Sequence, residues 1–479
     1  MKRSAICLTL IALLSSSCLV GPDYKGVQDV RLPVTWVNDM PPASDETSLT
    51  RWWESFGDPQ LNDLITTAFR NNPDEITALL NILKGESALR STRSDLFPSL
   101  GISAGGSNSG SFENSTAHGK WTGALSASWS PDVWGKTRRS IEAAVALLHS
   151  DYAAAAASRV ALASSVATTY FDWISACESL RVAEEQLAYQ ERTHRRTEER
   201  ARSGMDTGLA LAQSQATIAA TRAQIPALRA QIESCRNALA TYLGTTVDQI
   251  KLTLPSPSVY NLIPRVPTGL PSDLLRRRPD IISAEYSLHA EVAGIGVEVA
   301  NLFPNISLTG STSAGSSSDF ADFFRSAGWS LAASAATTLL NRTSLNENVL
   351  QAKLSTSSSA QSYRKTVLAA FAEVEDCLIT YAQLVNQLPE YIAAADANKR
   401  AAEISERLYE VGNTDFLNVA TAERSWLSSE LNIISTRQEI RKTLARLCSA
   451  LGGGWDDRRI LDEKRDIPRV NYSAPTPAP

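Results

Sequence analysis

Between Gly269 and Ser313 the spacing of apolar positions changes period in mid-chain. Ala284, Leu288, Val292, Ile295 and Val299 recur at helical spacing behind Pro279 and Asp280, a proline-first helix start. Phe303-Pro304 is expected to stop that helix, because a proline steers the residue before it out of the helical region. Beyond it, Ile306, Leu308 and Gly310 alternate with Ser307, Thr309 and Ser311, the period of a strand. A strand of Ser, Thr and small apolar residues, entered directly from a helix, is unusual in a water-soluble domain.

The same transition occurs earlier. Leu96-Phe97-Pro98-Ser99-Leu100 matches Leu302-Phe303-Pro304-Asn305-Ile306, 206 residues later. The strands that follow place Trp121, Gly123, Leu125, Ala127 and Trp129, and then Trp329, Leu331, Ala333 and Ala335, on one face; Ser and Thr dominate the other. Each copy continues into a very long helix, 136–203 and 341–411, that breaks at a glycine and resumes as a return helix. The tips are Gly204 and Gly412, 208 residues apart, and the return helices end near Leu243-Gly244 and Leu451-Gly452. At about 1.5 Å per residue such a helix approaches 100 Å, far longer than a globular domain needs. The chain therefore reads as a tandem repeat of helix, β-hairpin, long helix and return helix.

Expected boundaries follow from this pattern: a signal segment 1–17, a tether 18–50, a first repeat 51–247, a linker 248–279, a second repeat 280–455 and a tail 456–479. The hairpins fall at about 99–131 and 305–340, the coiled-coil helices at about 136–244 and 341–451. At the N-terminus Lys2 and Arg3 precede a short apolar run to Leu14, then Ser15-Ser16-Ser17-Cys18. The run is too short to span a bilayer and has the proportions of a signal sequence. Small residues ahead of Cys18 predict a lipoprotein cleavage site with Cys18 acylated; an ordinary signal with an incidental cysteine is the alternative.

Composition narrows the choice. Hydrophobic residues are 43% of the chain but aromatics only 7%, which suits long helices packed through small residues. The net charge of −5 gives no electrostatic case for a nucleic-acid partner. Strands of about ten residues with one apolar and one Ser/Thr face have the length and pattern of a membrane barrel. Four strands cannot close one, and an open edge is not viable in lipid. Subunits must therefore pool them: a dimer gives eight strands, a trimer twelve, and eight-stranded interiors are filled by side chains. The long helices, pooled likewise, predict a helical tube; a solid bundle is the alternative for the helices alone.

At this point the sequence resembles a family, the TolC-like outer-membrane factors, in the lipoprotein branch of efflux channels. The residues that carry the resemblance are Gly21-Pro22-Asp23-Tyr24 after Cys18, Trp53-Glu54-Ser55-Phe56-Gly57-Asp58-Pro59-Gln60-Leu61 and Trp134-Gly135-Lys136. Leu270-Pro271-Ser272-Asp273-Leu274-Leu275 running into Arg277-Arg278-Pro279-Asp280, Ile295-Gly296, and Ala450-Leu451-Gly452-Gly453-Gly454-Trp455 complete the set. The resemblance implies a mainly α fold with membrane β: a homotrimer forming a twelve-stranded β-barrel continued by a periplasmic α-helical barrel, docking a periplasmic adaptor and an inner-membrane pump. Its equatorial motif is Pro271, Asp273, Arg277, Arg278, Pro279 and Asp280. Relatives constrict the closed end with leucine, aspartate and arginine, which match Leu417, Thr421 and Arg424; here threonine replaces the aspartate. Asp415 or Glu423 is left to pair with Arg424 instead. The turn into the second long helix also departs from the family, with Leu340-Asn341-Arg342-Thr343 in place of a glycine-ending turn.

No enzyme constellation is present: His118, His149, His194 and His289 lie apart, and no phosphate-binding or nucleophile-elbow motif occurs. No metal or cofactor is expected. The arginine triplet Arg276–Arg278 suggests either an anion site or, preferred, a charged belt that satisfies helix ends. Cys177 and Cys235, and Cys377 and Cys448, are each centred near a tip glycine, which makes them candidate disulfides Cys177–Cys235 and Cys377–Cys448 in an oxidising compartment; buried apolar cysteines are the alternative. Pro226 and Pro389 inside helices mark hinges or static bends. The leading reading is the outer-membrane duct of a tripartite efflux system. A type I protein-secretion duct and a non-conducting structural lipoprotein are the alternatives.

Overall fold

The computed structural model describes residues 19–27, 33, 35–37, 49–110, 117–256, 264, 271–316, 327–337 and 342–456. Cys18, most of the tether, part of the linker, Leu340-Asn341 and the tail lie outside the described residues. A short 3-10 turn, Trp52–Phe56, leads to α1 (Pro59–Asn71) and α2 (Pro73–Ser94). Strands β1 (Ser99–Gly110) and β2 (Ala117–Trp129) follow, then α3 (Lys136–Arg202) and α4 (Gly208–Tyr242). The second copy is α5 (Pro279–Ala300), β3 (Asn305–Ser316), β4 (Gly328–Ala336), α6 (Arg342–Glu410) and α7 (Phe416–Ala450). Pro226 and Pro389 sit inside the uninterrupted helices α4 and α6. Among the described residues no helix is long and apolar enough to cross a membrane.

The chain forms two compact units, and neither coincides with a sequence repeat. One comprises Met1–Val30, Leu80–Ala153 and Ile282–Thr366; the other comprises Arg31–Leu79, Ala154–Ile281 and Val367–Pro479. Each draws on both copies.

The first unit contains the sheet, antiparallel throughout in the order β1-β2-β3-β4. Register decides what its faces carry. Ser99, Ser128, Thr309, Ser307 and Ser334 share one face, since Ser99 pairs with Ser128, Ser128 with Thr309, and Ser307 with Ser334. Hydroxyls cross-link this face, Ser307 to Ser334 at 2.7 Å and Ser311 to Ser330 at 2.8 Å. Leu100, Ile102, Leu125, Trp121, Leu308, Trp329 and Leu331 take the other face. Ile102 there is 86% exposed and Trp329 84%, a density of bare apolar surface that water does not tolerate over a whole sheet. The switch from helix to strand is held by indoles: Trp129 Nε1 donates to Leu96 O at 3.0 Å and Trp134 Nε1 to Pro304 O at 2.8 Å.

In the second unit, Asp58 explains the Trp-Trp-Glu-Ser-Phe-Gly-Asp-Pro signature. Its carboxylate caps α1 through Gln60 N (2.9 Å) and accepts from the buried Tyr170 hydroxyl (2.7 Å), beside Trp52, Trp53, Phe56, Phe69 and Phe171, whose rings pack edge-on or tilted. The helices of this unit pair as antiparallel hairpins. Arg222 bonds Glu191 and Arg229 bonds Glu184 across α3 and α4, while Asn398 reaches Ser429 across α6 and α7.

Candidate functional site

The chemistry of this chain concentrates where the hairpins turn. Both tips close by the same backbone device. Gly204 and Gly412 adopt φ +73° and +81°, which L side chains resist. Met205 N then bonds Arg200 O (2.9 Å) and Asn413 N bonds Leu408 O (2.8 Å), capping carbonyls that would otherwise lack partners.

Side chains then bolt one copy's tip to the other's. Tyr409, at the end of α6, donates its hydroxyl proton to Asp206 Oδ2 (2.5 Å), and its oxygen pairs with Thr197 Oγ1 (3.1 Å). Arg200 lies over the Tyr409 ring, holds Asp206 at 2.9 Å and donates to the carbonyl of Glu410, near the C-terminal end of α6, at 2.8 Å. Arg196 joins Glu406 (2.7 Å) and Glu410, and Tyr189 donates to Glu406. Beneath these lies an apolar plug of Ala210, Tyr409, Phe416, Val419 and Ala420. Burial, reinforced by Asp206, pushes the Tyr409 phenol up to about 12, so it stays a donor throughout the physiological range. The sequence reading missed this latch: its members read one by one as the polar surface of a helix tip.

The candidate gate residues divide in two. Leu417, Thr421 and Arg424 occupy one stripe of α7 and are all exposed, Leu417 at 53%. Thr421 spends its hydroxyl on Leu417 O at 2.8 Å. Asp415 is exposed at the N-cap of α7. Glu423 points the other way and is 1% exposed. The expected pairing with Arg424 is corrected accordingly: among the described residues no ion pair joins Arg424 to Asp415 or Glu423, since α7 turns Glu423 inward and Arg424 outward.

The equatorial motif is also a structural joint. Arg278 grips Asp280 with two bonds (3.1 and 2.8 Å), Glu373 at 2.8 Å and Ala450 O, the last carbonyl of α7, at 2.7 Å. Arg277 contributes its carbonyl, which accepts from Trp455 Nε1 at 3.0 Å and lies against Gly452, whose added Cβ would stand 2.5 Å away. Pro271 and Pro279 are buried, and Asp273 ends the 3-10 turn that Pro271 begins. Arg278 thus spends its donors on groups of the protein itself.

All four cysteines of the helices are free thiols. The hairpin register places Cys177 level with Cys235 and Cys377 level with Cys448, as apolar packing residues. Burial first, then its neighbour Cys235, raises the Cys177 thiol to about 11. Among the described residues no cluster of His, Cys, Asp or Glu has the arrangement of a metal site.

A sheet bare and apolar on one face, hydroxylated on the other and joined to very long helical hairpins defines a subunit of a membrane channel. The outer membrane efflux protein family matches residues 64–245 and 270–453, one match for each copy of the repeat. The chain is 29% identical over 470 residues to the probable efflux pump outer membrane protein TtgC of Pseudomonas putida, covering 95% of this chain and 96% of that one. It is 28% identical over 464 residues to the probable outer membrane lipoprotein SilC of Salmonella typhimurium, covering 95% and 99%. Its fold matches the solved open state of the Neisseria gonorrhoeae MtrE outer membrane channel with a TM-score of 0.81 and 29% identity, covering 91% of this chain and 98% of that one. The chain belongs to the outer membrane efflux protein family, a family of channel proteins, and works in efflux at the outer membrane.

Proposed function

We propose that three copies of this chain assemble into the exit duct of a tripartite efflux system, conducting passively what an inner-membrane pump delivers through a periplasmic adaptor. The observation that carries this reading is the four-stranded sheet in which, among the described residues, the first and last strands, β1 and β4, each pair on one side only. An open edge in lipid leaves backbone groups without partners, so copies join β4 to β1 until the ring closes. Three copies give twelve strands and leave the Ser/Thr face lining water. The helical hairpins continue the passage, and the exposed stripe Leu417–Thr421–Arg424 meets its copies around the threefold axis, where a leucine ring closes the passage by dewetting. Cys18 carries the lipid anchor. A non-conducting tether has no use for a two-faced sheet.

Reconstitution of the purified protein into planar bilayers tests this. Discrete ion conductance from a species of three-chain mass is expected, and Leu417→Ala is expected to raise the resting conductance. A monodisperse protein that never conducts would refute the duct.

A further inference from the structure

Glu423 is a carboxylate in the wrong place for a rigid strut. It lies two turns into α7, is 1% exposed, and its Oε1 has no hydrogen-bond partner. Its surroundings belong to the latch. Facing it are Thr193 of α3 and Glu406 of α6, with Tyr189 of α3 between Glu406 and Glu423 and Glu403 of α6 near it; Arg196 and Glu410 tie into the same cluster through Glu406, and α7 itself carries Arg424, outward-facing. Arg196 is exposed and is taken by Glu406 and Glu410, and His194 pairs with Ser214 of α4 at 2.6 Å. Ionised Glu423 would therefore be a buried negative charge facing another, Glu406, with only the Thr193 hydroxyl in support.

We propose, resting on the duct reading, that Glu423 is a proton-binding site that couples closure of the hairpin tips to pH. Protonated, it fits the apolar, latched interface between α7 and its neighbours. Ionised, it favours any arrangement that lets water reach it, which means separating α7 from α3 and α6. Burial, and then the charge of Glu406, move its titration from the ordinary 4.5 to about 7 in the latched state. The sign follows. A carboxyl whose titration is raised in one state stabilises that state fully below its ordinary value and loses that contribution as pH rises through the raised one. Latched tips are thus favoured in acid, and release is eased between pH 4.5 and about 7. A duct opening into a compartment whose pH follows the surroundings would hold shut more firmly when those surroundings acidify.

The test uses the full-length protein in planar bilayers between pH 5 and pH 8, wild type beside Glu423→Gln. For the wild type the closed-to-open ratio is expected to fall on the order of 70-fold per subunit over that range. Glu423→Gln, neutral at every pH, is expected to remain as closed at pH 8 as the wild type is at pH 5. Identical pH profiles for the two proteins would overturn the proposal. Infrared titration of the wild type supplies an arm independent of assembly of the variant: a protonated buried carboxyl band is expected at pH 6 and should vanish above pH 8. Its absence at pH 6 overturns the proposal as well. A protein that shows the band but conducts at no pH would refute the duct and leave the proton site standing.

Discussion

Gly21 has no room for even one more carbon. A Cβ there would stand 2.4 Å from the Cα of Gly296, and its φ of +93° already excludes ordinary side chains. Gly296 in turn is pressed by Arg139, whose side-chain carbons would lie 2.8 Å from an added Cβ. Arg139, 2% exposed, uses that position to bond Val20 O, Gly21 O, Asp23 (2.7 Å) and Glu142 (2.7 Å). Tyr24 completes the seat by stacking on His289, 4.4 Å between centroids, and donating to Glu285. A methyl at residue 296 must displace the segment or the guanidinium. Gly296→Ala is therefore expected to cost about 1–3 kcal/mol and to make residues 19–27 accessible to protease, read by limited proteolysis and thermal unfolding. Gly21-Pro22-Asp23-Tyr24 and Ile295-Gly296 were legible as signatures, but their mutual contact was not. A glycine kept for a close approach looks the same in sequence as a glycine kept for a turn, and the partner lies 275 residues away.

Among elements, local rules carried the sequence reading. Tip glycines and a repeat of 208 residues placed the long helices within a residue of 136–202 and 342–410, because helix ends are decided by a few neighbouring residues. The tip latch depends instead on pairs more than 200 residues apart, such as Tyr409 with Asp206, and has no period to betray it. Glu423 was misplaced for a related reason. One helical step separates it from Arg424, and only the packing of α7 decides which of them turns inward. The latch makes its own prediction. Tyr409→Phe keeps the ring against Phe416 and Arg200 but removes the hydroxyl that holds Thr197 and Asp206. Loss of a hydrogen bond to a charged group costs about 1.5–3 kcal/mol. The variant is expected to raise open probability in bilayers by tenfold or more, with unchanged unitary conductance, since no residue of the sheet is altered.

For the whole molecule, β4 offers neighbouring residues that the duct assigns to opposite solvents. Ser330 shares the hydroxyl face with Ser311, while Leu331, 77% exposed, sits on the apolar face opposite Gly310. On β2 that apolar face is bracketed by Trp121 and Trp129, about 27 Å apart along the strand, the span of an interfacial aromatic girdle across a lipid core. The same charge placed one residue apart should therefore have opposite consequences. Leu331→Lys puts an ammonium toward lipid at the level of Ala127, between the midplane and the Trp129 girdle, expected to cost about 1–2 kcal/mol and to deplete folded trimer in the outer membrane. Ser330→Lys puts it toward water, where assembly should be normal and a ring of three added cations should shift ion selectivity toward anions. Trimer yield on native gels and reversal potentials in bilayers under a salt gradient measure the two outcomes. A soluble hairpin layer would instead tolerate lysine on either face, and equal yields for the two variants would place both faces in water.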